Sequence, residues 1–356
     1  MDRYRRIAIL AEKAMAPVPS KTLSGLLRYR GPDVVAVIDS AHAGKNTGAV
    51  LGLGHGTPVV TDFAAALRYR PDALLLGYEP ASPIMRPYWR EQVLLAVRAG
   101  VDIINGLHYL LSDDEQIRAT AAATGAVLRD LRRPPAERRR AQFREHRSGS
   151  RTVLTVGTDC GSGKMTTLLE LDRHATAAGL DSAFLATGQV GMAISGGGVA
   201  VDGLVADFVN STVEERVFAA AAEHALVLVE GQGALNHPGY SAVTLGLLHG
   251  SRPDSMILCH DLARPALDLF PECALPSVSR AVEINEQAAR WLWPAGRCRV
   301  VGVSVITRGL TDREARRALS AVEAETGLPA TDPLRYGSDR LLTAVLAAPA
   351  AGSGVR

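Results

Sequence analysis

Short apolar runs alternate with longer amphipathic stretches along most of the chain. Ile7–Leu10, Val34–Ile38, Pro58–Val60, Ala73–Leu76 and Val101–Ile104 are apolar on both faces, the pattern of strands buried in a parallel sheet. Between them, Lys21–Tyr29, Asp62–Tyr69, Tyr88–Ala99 and Asp113–Thr124 carry helical periodicity. The alternation predicts a doubly wound α/β domain of Rossmann-like type. No G-x-G-x-x-G follows the first strand, so a dinucleotide site of the usual kind is not expected.

The pattern breaks at Arg132–Ser150, which is proline-bearing, charge-dense and then rich in Ser and Gly, a linker composition. A boundary near 148 is expected, giving a Rossmann-like domain over 1–147 and a phosphate-loop α/β domain over 148–356. The alternation then restarts. Strands are predicted at Thr152–Val156, Ser182–Ala186, Leu226–Val229, Ser255–Cys259 and Arg299–Val305. Helices are predicted at Thr166–Ala178, Asp207–His224, Ser279–Leu292, Thr311–Thr326 and from Ser338. Thr187–Met192 with Ser195–Gly198 is too polar and glycine-rich for a core and reads as a loop that lets backbone approach a ligand. The Ala/Gly/Ser tail after Ala347 reads as disordered.

The stretch with most chemistry is Arg151–Leu171, a strand, a small-residue loop and an immediate helix. Such a turn points successive backbone N–H groups at an oxyanion, while the new helix adds its positive end and Lys164 adds a full charge. Gly157, Thr158, Asp159, Cys160, Gly161, Ser162, Gly163, Lys164, Met165, Thr166 and Thr167 are the expected cofactor-binding residues. The match to G-x-x-x-x-G-K-[ST] is imperfect: the spacer is one residue longer, and Met165 follows the lysine. A hydroxyl for Mg²⁺ then has to come from Thr166 or Thr167.

Glu230 directly follows the apolar run Leu226–Val229, where a phosphate-loop domain places a Mg²⁺-coordinating acid. Gly231 and Gln232 beside it read as substrate contacts. In the polar turn after them, His237 is a candidate acid, base or substrate contact, and Tyr240 a further substrate contact. Gln189 joins them from the glycine-rich stretch. In the N-terminal half, Asp39 ends a strand, as a ligand contact or a helix cap, and His108 follows another, as a ligand contact or a core hydrogen-bonder. Ser20-Lys21 reads as a helix cap with a lysine at its start.

Composition narrows the partners. The chain has 356 residues, is 47% hydrophobic and 21% charged, and carries a formal net charge of +2. No global field favours nucleic acid or a membrane surface. The one basic cluster, Arg129–Arg147, reads as a solvated connector. Four cysteines show no C-x-x-C spacing, so neither a zinc site nor a disulfide framework is indicated, and a reducing cytoplasm fits. No apolar stretch approaches the roughly 18 residues of a spanning helix. A homo-oligomer is the expected assembly.

The loop Gly157–Lys164 and V-E-G-Q-G at Val229–Gly233 resemble the phosphate loop and acidic strand end of dethiobiotin synthetases. That family uses ATP and Mg²⁺ to make a mixed anhydride. A fuller resemblance, running from Lys21 to Gly337, is to the DgcN-type family of two-domain proteins. It is carried by G-T-D-C-x-x-G-K-M-T-T, T-G-Q-x-G, D-F-V near Asp207, V-E-G-Q-G-x-L-x-H-P-x-Y and G-L-H-x-L-L-S-D. Some members are assigned as D-glutamate N-acetyltransferases. The resemblance expects an Asn-Thr pair where this chain has Ile306-Thr307 and a glycine pair at Pro80–Pro83, which implies a different substrate.

Together these readings point to an enzyme forming an amide bond at the amine of a small amino acid. In the leading version an ATP·Mg²⁺-dependent ligase works through an acyl phosphate, with Lys164, Glu230 and His237 as catalytic residues and Thr166 and Glu230 on the metal. The alternative is an acetyl-CoA-dependent N-acetyltransferase holding the CoA diphosphate on the same loop. A third is a nucleotide-dependent regulatory switch. Glu230 favours the metal-nucleotide, because a carboxylate beside a diphosphate repels it unless a cation intervenes.

Overall fold

The computed structural model describes residues 4–15, 20–54, 56–77, 84–137, 139–144, 149–292 and 298–349. The Pro80–Pro83 turn, the boundary near 148 and the tail beyond 349 lie outside the described residues. The chain divides into two compact units, Met1–Pro135 with Gly188–Gly203, and Ala136–Thr187 with Leu204–Arg356.

The first unit contains β1 (Ile7–Leu10), β2 (Val34–Ile38), β3 (Val59–Val60), β4 (Ala73–Leu76), β5 (Asp102–Asn105) and β6 (Leu128–Asp130). Its first five helices are α1 (Lys21–Tyr29), α2 (Thr47–Leu51), α3 (Phe63–Ala66), α4 (Pro87–Arg98) and α5 (Glu115–Thr124). The strands form one parallel sheet in the order β3-β2-β1-β4-β5-β6, the Rossmann order. All four residues of β1 are fully buried, as a central strand covered on both faces requires. The helix expected over Asp62–Tyr69 is shorter. Asp62 caps α3, the chain tightens into a 3₁₀ turn at Leu67–Tyr69, and Arg70 ends it with φ 49°.

The second unit adds β7 (Arg151–Gly157), β8 (Ser182–Leu185), β9 (Leu226–Val229), β10 (Ser255–Asp261), β13 (Arg299–Ile306) and β14 (Ala330–Thr331). A hairpin of β11 (Ala266–Leu267) and β12 (Phe270–Ala274) interrupts them. Its parallel sheet runs β14-β13-β10-β7-β9-β8, so the loop strand β7 lies centrally between β10 and β9. The later helices are α6 (Lys164–Ala177), α7 (Gln189–Ser195), α8 (Val209–Glu223), α9 (Ser241–Ser251), α10 (Val278–Arg290), α11 (Asp312–Thr326), α12 (Pro333–Tyr336) and α13 (Asp339–Ala347). Buried Val153, Leu168, Leu171, Leu228 and Leu341 knit α6 and α13 to the sheet.

Two features depart from the sequence reading. The glycine-rich stretch is not an open loop: Gln189–Ser195 is helix α7, ended by Gly196 at φ 90°. This helix and its flanks group with the first unit, not the second. Ala193 joins the apolar cluster of β1 and α1, Arg30 donates to the Ala193 carbonyl, and buried Arg132 pairs with Asp202 at 2.8 Å. The basic connector is therefore partly structural. Glu214 accepts the N–H groups of Gln142 and Arg144, both at 2.8 Å, which holds its carboxyl below the ordinary carboxylate range despite burial.

Candidate functional site

Strand β7 delivers the chain to Gly157, where a side chain would displace its loop neighbours. A Cβ there would stand 2.5 Å from Ser162 Oγ and 2.9 Å from Lys164 Nζ. Gly161 and Gly163 then turn the chain with φ 64° and 97°, backbone that glycine adopts without strain. Among the described residues the N–H groups of Gly161, Ser162, Gly163 and Thr166 make no hydrogen bond. Consecutive unengaged donors at the start of α6 form an anion cradle. Lys164 is buried, and its Nζ donates to the Asp159 carbonyl at 2.8 Å and to Ser162 Oγ at 3.3 Å.

Several loop side chains turn away from the cradle and brace it. Thr158 Oγ1 meets His260 Nδ1 at 3.0 Å. Buried Asp159 accepts from Cys160 N–H and, through Oδ2, from Arg264 Nη1 and the Asp268 N–H, both at 3.0 Å. Thr167 Oγ1 donates to the Gly163 carbonyl and lies 2.7 Å from Ser304 Oγ, so it is committed beneath the loop. Of the two threonines considered for Mg²⁺, only Thr166 is part-exposed. Met165 is core. Below the loop, burial pushes the Cys259 thiol up to about 11, and burial also lowers His260.

Glu230 ends β9 fully buried. Its Oε2 accepts from the Thr187 N–H at 3.1 Å, and Thr187 Oγ1 donates to its carbonyl. The carboxylate therefore fastens the ends of β8 and β9 together. Gly231 passes so close to β7 that a Cβ would stand 1.6 Å from the Thr155 carbonyl oxygen. Gln232 Nε2 donates to the Thr187 carbonyl, a structural use of a side chain expected to touch substrate.

His237 does reach the loop. A ring nitrogen of His237, an Asp159 carboxylate oxygen and Cys160 Sγ lie within 4.8 Å of one another. The ring is buried, edge-on to Phe270 at 5.4 Å and tilted against exposed Tyr240 at 4.7 Å. Its Nδ1 accepts the Gly239 N–H at 3.1 Å, which puts the proton of the neutral ring on Nε2. Nε2 is buried and has no hydrogen-bond partner among the described residues. The cluster does not fit Mg²⁺, which takes oxygen ligands, and the fixed tautomer leaves no lone pair on Nε2 for any metal. What remains is a buried N–H donor on a ring that reaches the loop. Asn236 Nδ2 adds a brace, donating to the Thr158 carbonyl at 3.0 Å.

The remaining candidates belong to the first unit. Asp39 caps the turn that follows its strand. Its fully buried carboxylate accepts the N–H groups of Ala41 and His42 through Oδ1 and of Lys13 through Oδ2, and Oδ1 also meets His42 Nδ1 at 3.1 Å. Ser20 likewise caps α1. His108 is exposed, and Gln189 packs on Gly106, where a Cβ would meet Gln189 Cγ at 3.0 Å. Sequence reasoning missed Arg264, Asn236 and the β11–β12 hairpin. Their contact with the loop is purely tertiary: Arg264 lies 105 residues from Asp159.

The fold and cradle define a two-domain α/β protein with a phosphate-loop anion site, and comparison with known proteins places it. A model described as a domain of unknown function, P-loop domain, matches residues 139–342, and its companion Rossmann-like model matches residues 40–134. The chain belongs to this DUF1611 family. A crystal structure of a DUF1611 family protein from Anabaena variabilis superimposes with a TM-score of 0.90 at 36% identity, covering 96% of this chain and 99% of that one. A Tritonibacter scottomollicae protein named D-glutamate N-acetyltransferase is 36% identical over 92% of this chain and 94% of its own length. A Pseudoalteromonas protein of the same name is 34% identical over 75% and 79%. Among the described residues no helix is long and apolar enough to cross a membrane.

Proposed function

We propose that this protein is an amino-acid N-acetyltransferase that takes its acetyl group from acetyl-CoA and delivers it to the amine of D-glutamate or a closely similar amino acid. The observation that carries the reading is full-length similarity to a relative of that name, 36% identical across 92% of this chain. The loop supplies what such an enzyme needs for its donor, an N–H cradle and a lysine for the CoA diphosphate. Acetyl-CoA, when bound, supplies an activated thioester. The amine forms the new C–N bond, the C–S bond breaks, and the proton shed by the nitrogen goes to the departing sulfur, giving CoA thiol.

The chain's own residues then have distinct tasks. Lys164 and the N–H groups of Gly161, Ser162 and Gly163 bind the diphosphate. His237, fixed as the Nε2–H tautomer by Gly239, acts as a donor to an anionic or carbonyl oxygen and not as a base. Thr158, Asp159 and Thr167 hold the loop in shape from behind.

An ATP·Mg²⁺ ligase is the second reading, favoured by Thr166, part-exposed on the first turn of α6. Its main argument, Glu230, is weakened because one oxygen of the buried carboxylate, Oε2, accepts the Thr187 N–H. Ile306, where the DgcN-type resemblance expects an asparagine, bears on the substrate and not on the choice between donors: its Cδ1 lies 3.3 Å from a Cβ built on Gly163, so the loop meets an apolar side chain there.

The test incubates purified protein with acetyl-CoA or ATP·Mg²⁺ and a panel of D- and L-amino acids. Free thiol, ADP and product mass are followed together. Thiol release without ATP, dependent on D-glutamate, supports the reading. ADP release requiring both an acid and an amine overturns it in favour of the ligase.

A further inference from the structure

We infer that Arg264 is a second cationic ligand for the anion on the loop, an inference that rests on the diphosphate reading above. Arg264 follows β10, the neighbour of the loop strand, and is held on two sides. Its Nη1 donates to Asp159 Oδ2 at 3.0 Å and to the Cys160 carbonyl at 2.8 Å, while its Nε lies 3.4 Å from Asp261 Oδ2. Both carboxylates are buried. The third nitrogen, Nη2, makes no hydrogen bond among the described residues. It lies directly on the loop: a Cβ built on Gly161 would stand 3.1 Å from it.

The consequence is geometric. A guanidinium is planar and rigid, so fixing Nε and Nη1 fixes the direction of both Nη2 protons. They are presented at the turn whose Gly161 and Ser162 N–H groups are also unengaged. Four donors thus lie at one turn of the loop, with Lys164 as the other charge. An arginine used only to tie the loop to β10 has no need of a free nitrogen facing that turn. Asp159 acquires a role in the same step. Its side chain does not touch the anion but positions the arginine that does, while the Asp268 N–H and the hairpin hold Asp159 in place. Lysine cannot replace Arg264, because one ammonium cannot meet Asp159, the Cys160 carbonyl and a phosphate oxygen at once.

Calorimetric titration of the full-length wild type, Arg264→Gln and Arg264→Lys with acetyl-CoA, ADP and adenosine tests this. Charge-assisted hydrogen bonds are strong, so Arg264→Gln should weaken acetyl-CoA and ADP by about tenfold or more and adenosine by less than about twofold. Arg264→Lys should weaken ADP by about threefold or more, again sparing adenosine, and it carries the test if the glutamine variant does not fold. Equal losses for ADP and adenosine would show a bracing role only and overturn the inference, as would ADP affinity unchanged in both variants. If the wild type binds neither acetyl-CoA nor ADP, it is the diphosphate reading that fails.

Discussion

Lys164 Nζ lies 2.8 Å from the carbonyl oxygen of Asp159, so the lysine of the loop is folded onto the loop's own backbone. The same ammonium is 3.3 Å from Ser162 Oγ. An arriving phosphate therefore does not meet a charge waving in solvent. It exchanges two contacts to neutral oxygens for stronger ones to an anion, with little side-chain ordering left to do.

The closeness of the strands beneath the loop can be tested first. Gly231 has no room for a methyl group, with backbone oxygen of Thr155 at 1.6 Å from its Cβ position. Gly231→Ala must push β9 away from β7, and its N–H would lose Thr155 Oγ1, now at 3.0 Å. A loss of about 3 kcal/mol or more is expected, read from the denaturant midpoint. A loss below about 1 kcal/mol would contradict this packing.

How much of this was legible from residues alone depends on how far each contact reaches. The strand, loop and helix at Arg151–Ala177 are local, and their pattern sufficed. The buried strands were equally plain, since runs such as Ala73–Leu76 can sit nowhere else. Helix α7 was hidden because the glycines within and around it mask a short apolar signal, Ala193 and Ile194, that matters only against α1 and β1. Asp39 and Glu230 end buried strands, and sequence cannot tell a carboxylate that binds a ligand from one that binds backbone N–H groups. Arg264 was invisible for a related reason: nothing local marks an arginine whose partner, Asp159, is 105 residues away.

Cysteine chemistry separates the loop from its core. Cys160 is part-exposed on the loop, whereas Cys259 is buried with its thiol pushed up to about 11. At pH 8 iodoacetamide should label Cys160 in the native protein and leave Cys259 unmodified until the protein unfolds. Saturating acetyl-CoA should slow Cys160 labelling by about threefold or more, measured by peptide mass spectrometry. Unprotected labelling would place the cofactor elsewhere.

His260 gives the fold a specific acid sensitivity. Burial lowers its pKa below the usual histidine value of about 6.5, so the folded state binds fewer protons there than the unfolded chain. Its contribution to stability is complete above about pH 6.5 and is lost as pH falls from there through the folded value. Wild-type Tm should fall more steeply between pH 7 and 5 than that of His260→Gln, which cannot titrate. Parallel curves would remove His260 from the account.

The donor role of His237 predicts an unusual ranking. Glutamine can present an amide N–H near the Nε2 position but cannot act as a base, so His237→Gln should keep at least about tenfold more kcat/KM than His237→Ala. Two equally inactive variants would favour a proton-transfer role.

The central claim is that the loop holds the diphosphate of the acyl donor, and Lys164→Ala tests it most directly. Titrated with acetyl-CoA under conditions where wild type binds, this variant should lose about tenfold or more in affinity, because a buried ammonium aimed at a phosphate is removed. Its Tm, measured alongside, should show that it remains folded. A folded Lys164→Ala protein that binds acetyl-CoA within about twofold of wild type would contradict the account.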